Sequence, residues 1–196
     1  MGIGDNVNPA QSPSVKFTYA DLLNFPDDGR RHEIIDGEHV VTPSPNTKHQ
    51  TVSMTLSGAL TAYLTHHPVG AVFAAPLDVV FSDLDVVEPD LMYISRERAG
   101  VLTEQHVRGA PDFVIEILSP GTRRTDEITK RKLYERFGVA EYWVVDPELD
   151  LVKIYRRTAE GFTRVGELTA EGGDALTTPL LPGFSITLAA VFAPPL

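Results

Sequence analysis

Glu116 stands inside an otherwise apolar run, Phe113-Val114-Ile115-Glu116-Ile117-Leu118. An ionised carboxylate buried there costs several kcal/mol unless something compensates it. A metal ion, a Lys or Arg, or a set of backbone N–H donors would serve. The plain alternative is a strand-end glutamate facing solvent, or a structural ion pair. A metal ion would need a second oxygen ligand. Asp112 is four residues away on the same strand, about 13 Å at ~3.3 Å per residue, which is too far to share an ion. Asp90 follows Pro89 at the head of the run Leu91 to Ile94. It can sit on an adjacent strand about 4.8 Å away, where its carboxylate can converge with that of Glu116.

Lys130 comes four residues after Asp126 and four before Tyr134, so the three share one helix face. The plain reading of Asp126 and Lys130 is a surface ion pair worth a few tenths of a kcal/mol. The helix that carries them follows the strand of Glu116, and crossover helices begin near the C-terminal end of the preceding strand. Around it lie Arg123, Arg124, Lys130, Arg131, Lys132 and Arg136 against Asp126, Glu127 and Glu135, the one basic segment of a chain whose net charge is −10. That charge argues against a broad phosphate-tracking surface. Other chemistries find little support. No cysteine is present, which excludes disulfides, zinc thiolates and thiol nucleophiles and fits a reducing cytoplasm, the expected location. The six histidines show no zinc spacing, Ser119 lacks a nucleophile elbow, and no phosphate-cradling glycine loop appears.

The elements that must position these residues can be read from pattern. The chain of 196 residues, 42% hydrophobic, suits one domain over 15–196, preceded by a polar, disordered tail over 1–14. No run approaches the ~20 apolar residues that cross a bilayer, so no membrane partner is expected. Thr18 with Asp21 forms a capping box for a short helix through Phe25. Asp36-Gly37 between apolar alternations marks a hairpin, since both turn residues need positive φ. Val52, Leu56, Ala59, Leu60, Tyr63 and Leu64 give a helical stripe from His49 to about His66. Strands are expected at 71–74, 77–81, 91–94 and 113–118, the last covered on both faces. A helix over 125–137 ends at Gly138, and a strand at 141–145 completes a parallel crossover unit. Peripheral strands follow at 152–155, 162–165 and 184–188. The result is an α/β fold: a mixed central sheet, one helix on each face and antiparallel additions at the edges.

These segments, taken in order, resemble a known family. His32 to Glu38, Ser44-Pro45 with His49, Glu88-Pro89-Asp90-Leu91, Pro111 to Pro120, Asp126 with Lys130 and Tyr134, Gly138 to Asp146, and Leu181-Pro182-Gly183 are similar to the Uma-two family of endonucleases, from about Phe17 to Phe192. The resemblance implies the restriction-endonuclease-like PD-(D/E)XK fold with an αβββαβ core and Mg²⁺-dependent phosphodiester hydrolysis. Asp90 then matches the motif aspartate, Glu116 the motif acid and Glu33 an upstream acid near the metal. Leu118 stands where the motif has lysine, and Lys130 looks like a migrated lysine. His49 falls at a recurrent histidine and, with Asp126 and Tyr134, is a candidate accessory residue.

Asp90, Glu116 and the carbonyl of Ile117 would supply hard oxygen ligands suited to Mg²⁺ or Mn²⁺. Arg123, Arg124 and Arg131 are candidate phosphate contacts on nucleic acid, with DNA the expected form. Nucleases of this fold often act as dimers, so a homodimer is compatible with the resemblance. Two other functions remain open: a non-catalytic nucleic-acid- or protein-binding module in which Leu118 marks a lost activity, and a metal-dependent hydrolase of another substrate.

Overall fold

The structure, a computed structural model, describes residues 15–195. The expected tail over 1–14 lies outside the described residues. Thr18 caps α1 (Tyr19–Leu22), and the reciprocal bond from Thr18 N–H to Asp21 Oδ2 is 2.8 Å, so the capping box forms. The hairpin of β1 (Arg31–Ile35) and β2 (Glu38–Thr42) turns at Asp36 and Gly37, with φ of 51° and 73°. Asn46 caps α2 (Thr47–His66), which buries Val52, Leu56, Leu60 and Leu64 at four-residue spacing. None of the described helices is long and apolar enough to cross a membrane.

Eleven of the strands form two packed sheets. Five of these are β3 (Gly70–Ala74), β4 (Val79–Ser82), β5 (Asp85–Val87), β6 (Leu91–Ser95) and β7 (Val107–Arg108). Four more are β8 (Phe113–Ile117), β9 (Glu141–Asp146), β10 (Leu151–Thr158) and β11 (Gly161–Thr169). The larger sheet has the order β11-β10-β9-β8-β6-β3. In it β8 pairs antiparallel with β6 and parallel with β9, and the remaining pairs are antiparallel. The sequence α2, β3, β6, β8, crossover helix, β9 is the αβββαβ core on a mixed sheet.

The hairpin and the 79–87 strands do not extend that sheet. They build a second one, β2-β1-β5-β4-β7. The physical reason lies in β8, whose five residues are all buried. Phe113, Ile115 and Ile117 pack towards α2, while Val114 and Leu118 pack with Ile35, Val79, Val87, Leu133 and Tyr134. The α-helical part of the crossover, α3 (Arg131–Phe137), has seven residues. That is about 10 Å of helix, too short to cover the second face alone. The smaller sheet completes the cover.

Two further expectations change. The crossover helix enters through a π-helical segment, Thr125–Lys130, before α3 closes at Gly138 with φ 88°. Such π turns are rare and cluster at functional sites. The strand expected at 184–188 shrinks to β13 (Ile186–Thr187), paired with β12 (Ala175–Leu176). Thr187 then caps α4 (Leu188–Val191), because its hydroxyl accepts from Ala190 N–H. Asp85 ties the layers together. Its Oδ1 accepts from Asp36 N–H at 3.0 Å in the hairpin turn and from Arg136 Nη2 at 2.5 Å near the end of α3.

Candidate active site

The register of β6 against β8 pairs Leu91 with Ile115. One step further along each strand, Asp90 therefore meets Glu116, and Asp90 N–H lies 3.5 Å from Glu116 Oε2. Alternation along β8 turns Glu116 to the same face as Val114 and Leu118, towards β1 and the crossover helix. On β1, Arg31 and Glu33 are two residues apart and point the same way. Both reach the site.

Each carboxylate is held by several donors. Asp90 Oδ1 pairs with Arg31 Nη1 at 2.8 Å, and Oδ2 accepts from Ile117 N–H at 2.8 Å and from His49 Nε2 at 3.1 Å. Glu116 Oε1 accepts from Tyr134 Oη at 2.5 Å and Lys130 Nζ at 3.1 Å. Lys130 Nζ also lies 2.7 Å from Glu33 Oε1 and 3.7 Å from Asp126 Oδ1. Glu33 Oε1 accepts from Glu88 N–H at 2.9 Å as well. Glu33, His49, Asp90, Glu116, Asp126 and Lys130 are all at most 5% exposed. The Asp126 and Lys130 pair is therefore no surface ion pair.

Burial raises the Glu116 carboxyl to about 8 against the pull of Lys130, with Asp126, Asp90 and Glu33 adding to the rise. It raises Asp126 to about 6, again against Lys130. Asp90 goes the other way: burial opposes its ionisation, but the His49 hydrogen bond, the Arg31 charge and the Ile117 N–H outweigh it. Lys130 stays an ammonium, since Glu116, Glu33 and Asp126 overcome its burial. Glu88, at the edge of the site, is raised to about 7 by burial and by Asp78 and Glu33. Four carboxyl groups, Glu33, Asp90, Glu116 and Asp126, thus share two fixed cations, Arg31 and Lys130.

Asp90, Glu116, Ile117, His49, Asp126 and Lys130 line one cavity of about 20 Å³, enough for a single water or ion. Among the described residues, no three His, Asp or Glu side chains have the geometry of a metal site. The donor set expected from the sequence needs two, with Ile117 supplying a backbone carbonyl. The basic segment is mostly committed elsewhere. Arg123 makes a bidentate pair with Asp146 at 2.5 and 3.1 Å and reaches Glu148 at 3.2 Å. Arg131 donates to Glu127 O at 3.1 Å and lies over the Tyr155 ring, whereas Arg124 is exposed. Arg31 escaped the sequence reading. The signal was there, because it stands two residues from Glu33 on a strand and so shares its face.

A sequence model of the Uma2 family, described as "Putative restriction endonuclease", matches residues 19–189. Among solved structures, a protein from Anabaena variabilis described as a putative nuclease superposes with a TM-score of 0.75 at 21% identity. The match covers 90% of this chain and 97% of that one, a likeness of fold. No curated protein matches the chain. Since the family match runs from α1 into α4 and takes in every strand of both sheets, the chain belongs to the Uma2 family of nuclease-like proteins.

Proposed function

We propose that the chain is a divalent-metal-dependent endonuclease that hydrolyses phosphodiester bonds of nucleic acid, with DNA as substrate and Mg²⁺ or Mn²⁺ as the ion. The observation that carries this reading is the convergence of Asp90 and Glu116 on one small cavity, lined by three acidic side chains, Asp90, Glu116 and Asp126, and two cations, Arg31 and Lys130. A divalent ion would favour the ionised form of Glu116, which burial and the neighbouring acids oppose, and the oxygen donors suit a hard cation. Asp90 and Glu116 would hold it, with Ile117 completing the set. When bound, the ion supplies Lewis-acid polarisation of a water and neutralises charge on the phosphate.

The chain's own groups divide the remaining work. Arg31, His49 and the Ile117 N–H fix the orientation of Asp90. Tyr134 and Lys130 fix that of Glu116. An ammonium donates rather than accepts, so Lys130 orients a water or stabilises negative charge developing on the phosphate. Glu33 and Asp126 keep Lys130 charged and in place.

One observation favours a second reading, a nucleic-acid-binding module without activity: Lys130 already lies between Glu33 and Glu116, and position 118 is Leu. Plasmid nicking by wild type, Asp90→Asn and Glu116→Gln, in Mg²⁺, in Mn²⁺ and in EDTA, separates the two. The nuclease reading requires metal-dependent nicking lost in both variants. Nucleic-acid binding without nicking under any condition gives the second reading.

A further inference from the structure

Beyond the small cavity, the site opens into a groove of about 460 Å³ between the first hairpin and the start of α2. Arg31, Pro45, His49 and Asp90 border both spaces. Arg31 is thus the cation that faces the groove and the carboxylate pair together. Its side chain is 17% exposed, against 4% for Lys130, which its carboxylates enclose. Arg30 also borders the groove, but Asp28 holds it at 2.6 and 2.9 Å. The rim carries Asp27 and Glu88 as well. A phosphodiester strand entering so acidic a groove needs a cation at the junction.

Arg31 has the donors to spare. Its contacts with Asp90 Oδ1 and Glu88 O both run through Nη1, so Nε and Nη2 make no hydrogen bond among the described residues. A guanidinium presents such donors as a planar fork that matches two phosphate oxygens. We infer that Arg31 binds a phosphate of the nucleic-acid strand where it passes from the groove to the Asp90–Glu116 cavity. This rests on the nuclease reading for the identity of the ligand, and it makes Arg31 a substrate-binding residue as well as a support for Asp90.

The test uses binding without metal. Anisotropy of a short fluorescein-labelled oligothymidylate is measured in EDTA against wild type, Arg31→Lys and Arg31→Met over a range of salt. Loss of a charged hydrogen-bonded contact should weaken Arg31→Met about 10- to 100-fold. It should lower the slope of log affinity on log salt by about 0.7, the value for one phosphate on a single strand. Arg31→Lys should keep the slope and lose part of the affinity. With neutral methylphosphonate linkages in the oligonucleotide, all three proteins should bind alike.

Wild-type affinity and slope in Arg31→Met would overturn the inference. So would a difference that persists on the methylphosphonate probe, which would mean that Arg31 acts only through Asp90. Should melting curves show Arg31→Met unfolded, Arg31→Lys decides, and its equality with wild type on both probes overturns the inference. A wild type that does not bind the oligonucleotide overturns it too. Nicking is scored separately: a wild type that nicks DNA while Arg31→Met binds normally removes Arg31 alone, and binding through Arg31 without nicking removes the nuclease reading alone.

Discussion

Lys130 Nζ and Glu33 Oε1 lie 2.7 Å apart with side chains 4% and 1% exposed, although one residue comes from the crossover helix and the other from the first hairpin. The pair joins the smaller sheet to the helix at the centre of the site. Lys130→Met removes the cation from three carboxylates, and breaking a buried pair costs about 3–5 kcal/mol. For a domain of this size that is roughly 6–20 °C in melting temperature. The expected variant melts lower than wild type without metal, regains more stability than wild type on adding Mn²⁺, and does not nick plasmid. Thermal melts with and without Mn²⁺ check this, and an unchanged metal-free melt would mean that Lys130 does not hold the cluster together.

Glu116 gives a pH signature. Its folded pKa of about 8 lies above the ordinary 4.5, so between those values the folded state holds a proton that the unfolded state has released. Stability from this group is complete below 4.5 and is lost as pH rises through about 8. Glu116→Gln keeps the neutral shape and has no proton to lose. Metal-free melting of wild type should therefore fall relative to Glu116→Gln across that window, with the variant the more stable above it. Mn²⁺ should raise the wild-type melt and leave the variant's unchanged. A variant that melts far below wild type at every pH would make Glu116 a structural partner of Lys130 and Tyr134.

His49 holds Asp90 through Nε2, while its Nδ1 is buried and has no hydrogen-bond partner among the described residues. Groups that orient a metal-binding side chain typically contribute about 10- to 100-fold in metal affinity. Calorimetric titration of His49→Ala with Mn²⁺ should show a loss of that size. Equal affinity in variant and wild type would leave His49 a packing residue.

Arg123 and Arg124, adjacent in sequence, should behave differently. Arg123→Ala removes the guanidinium from the Asp146 carboxylate, 2% exposed, whose Oδ1 keeps the Glu148 and Leu149 N–H groups while Oδ2 loses its partner, and should cost about 1–3 kcal/mol of stability while leaving the salt dependence of nucleic-acid binding unchanged. Arg124 is exposed, so Arg124→Ala should leave the melt alone and reduce the salt slope. A single panel of melts and binding isotherms compares them, and the reverse pattern would reassign both residues.

What could be read from the sequence follows the reach of the interactions. The Asp36-Gly37 turn and the capping box of Thr18 and Asp21 are local, and their residues specify them directly. Glu116 announced itself because a charged residue interrupts a strand buried on both faces. Lys130 did not, since four-residue spacing to Asp126 looks the same on an exposed and on a buried helix face. The second sheet also depends on packing. The three-residue β5 carries too little pattern to be seen, and nothing near the hairpin says that it will leave the central sheet. Arg31 depended on that packing, because its partner Asp90 lies 59 residues further along the chain.

The double tie at Asp85 constrains how this chain can vary in length. From Asp85, one arm runs up β1 from Asp36 to Glu33, three residues or about 10 Å of strand. The other runs back along the crossover helix, from Arg136 in α3 to Lys130 at the end of the π-helical segment, six residues or about 9 Å of helix. The arms meet again at the contact between Glu33 and Lys130. They close a loop of matched sides, so inserting one residue in either arm would shift Glu33 to the opposite face of its strand or swing Lys130 about 100° around its helix. Insertions should be excluded from these two stretches.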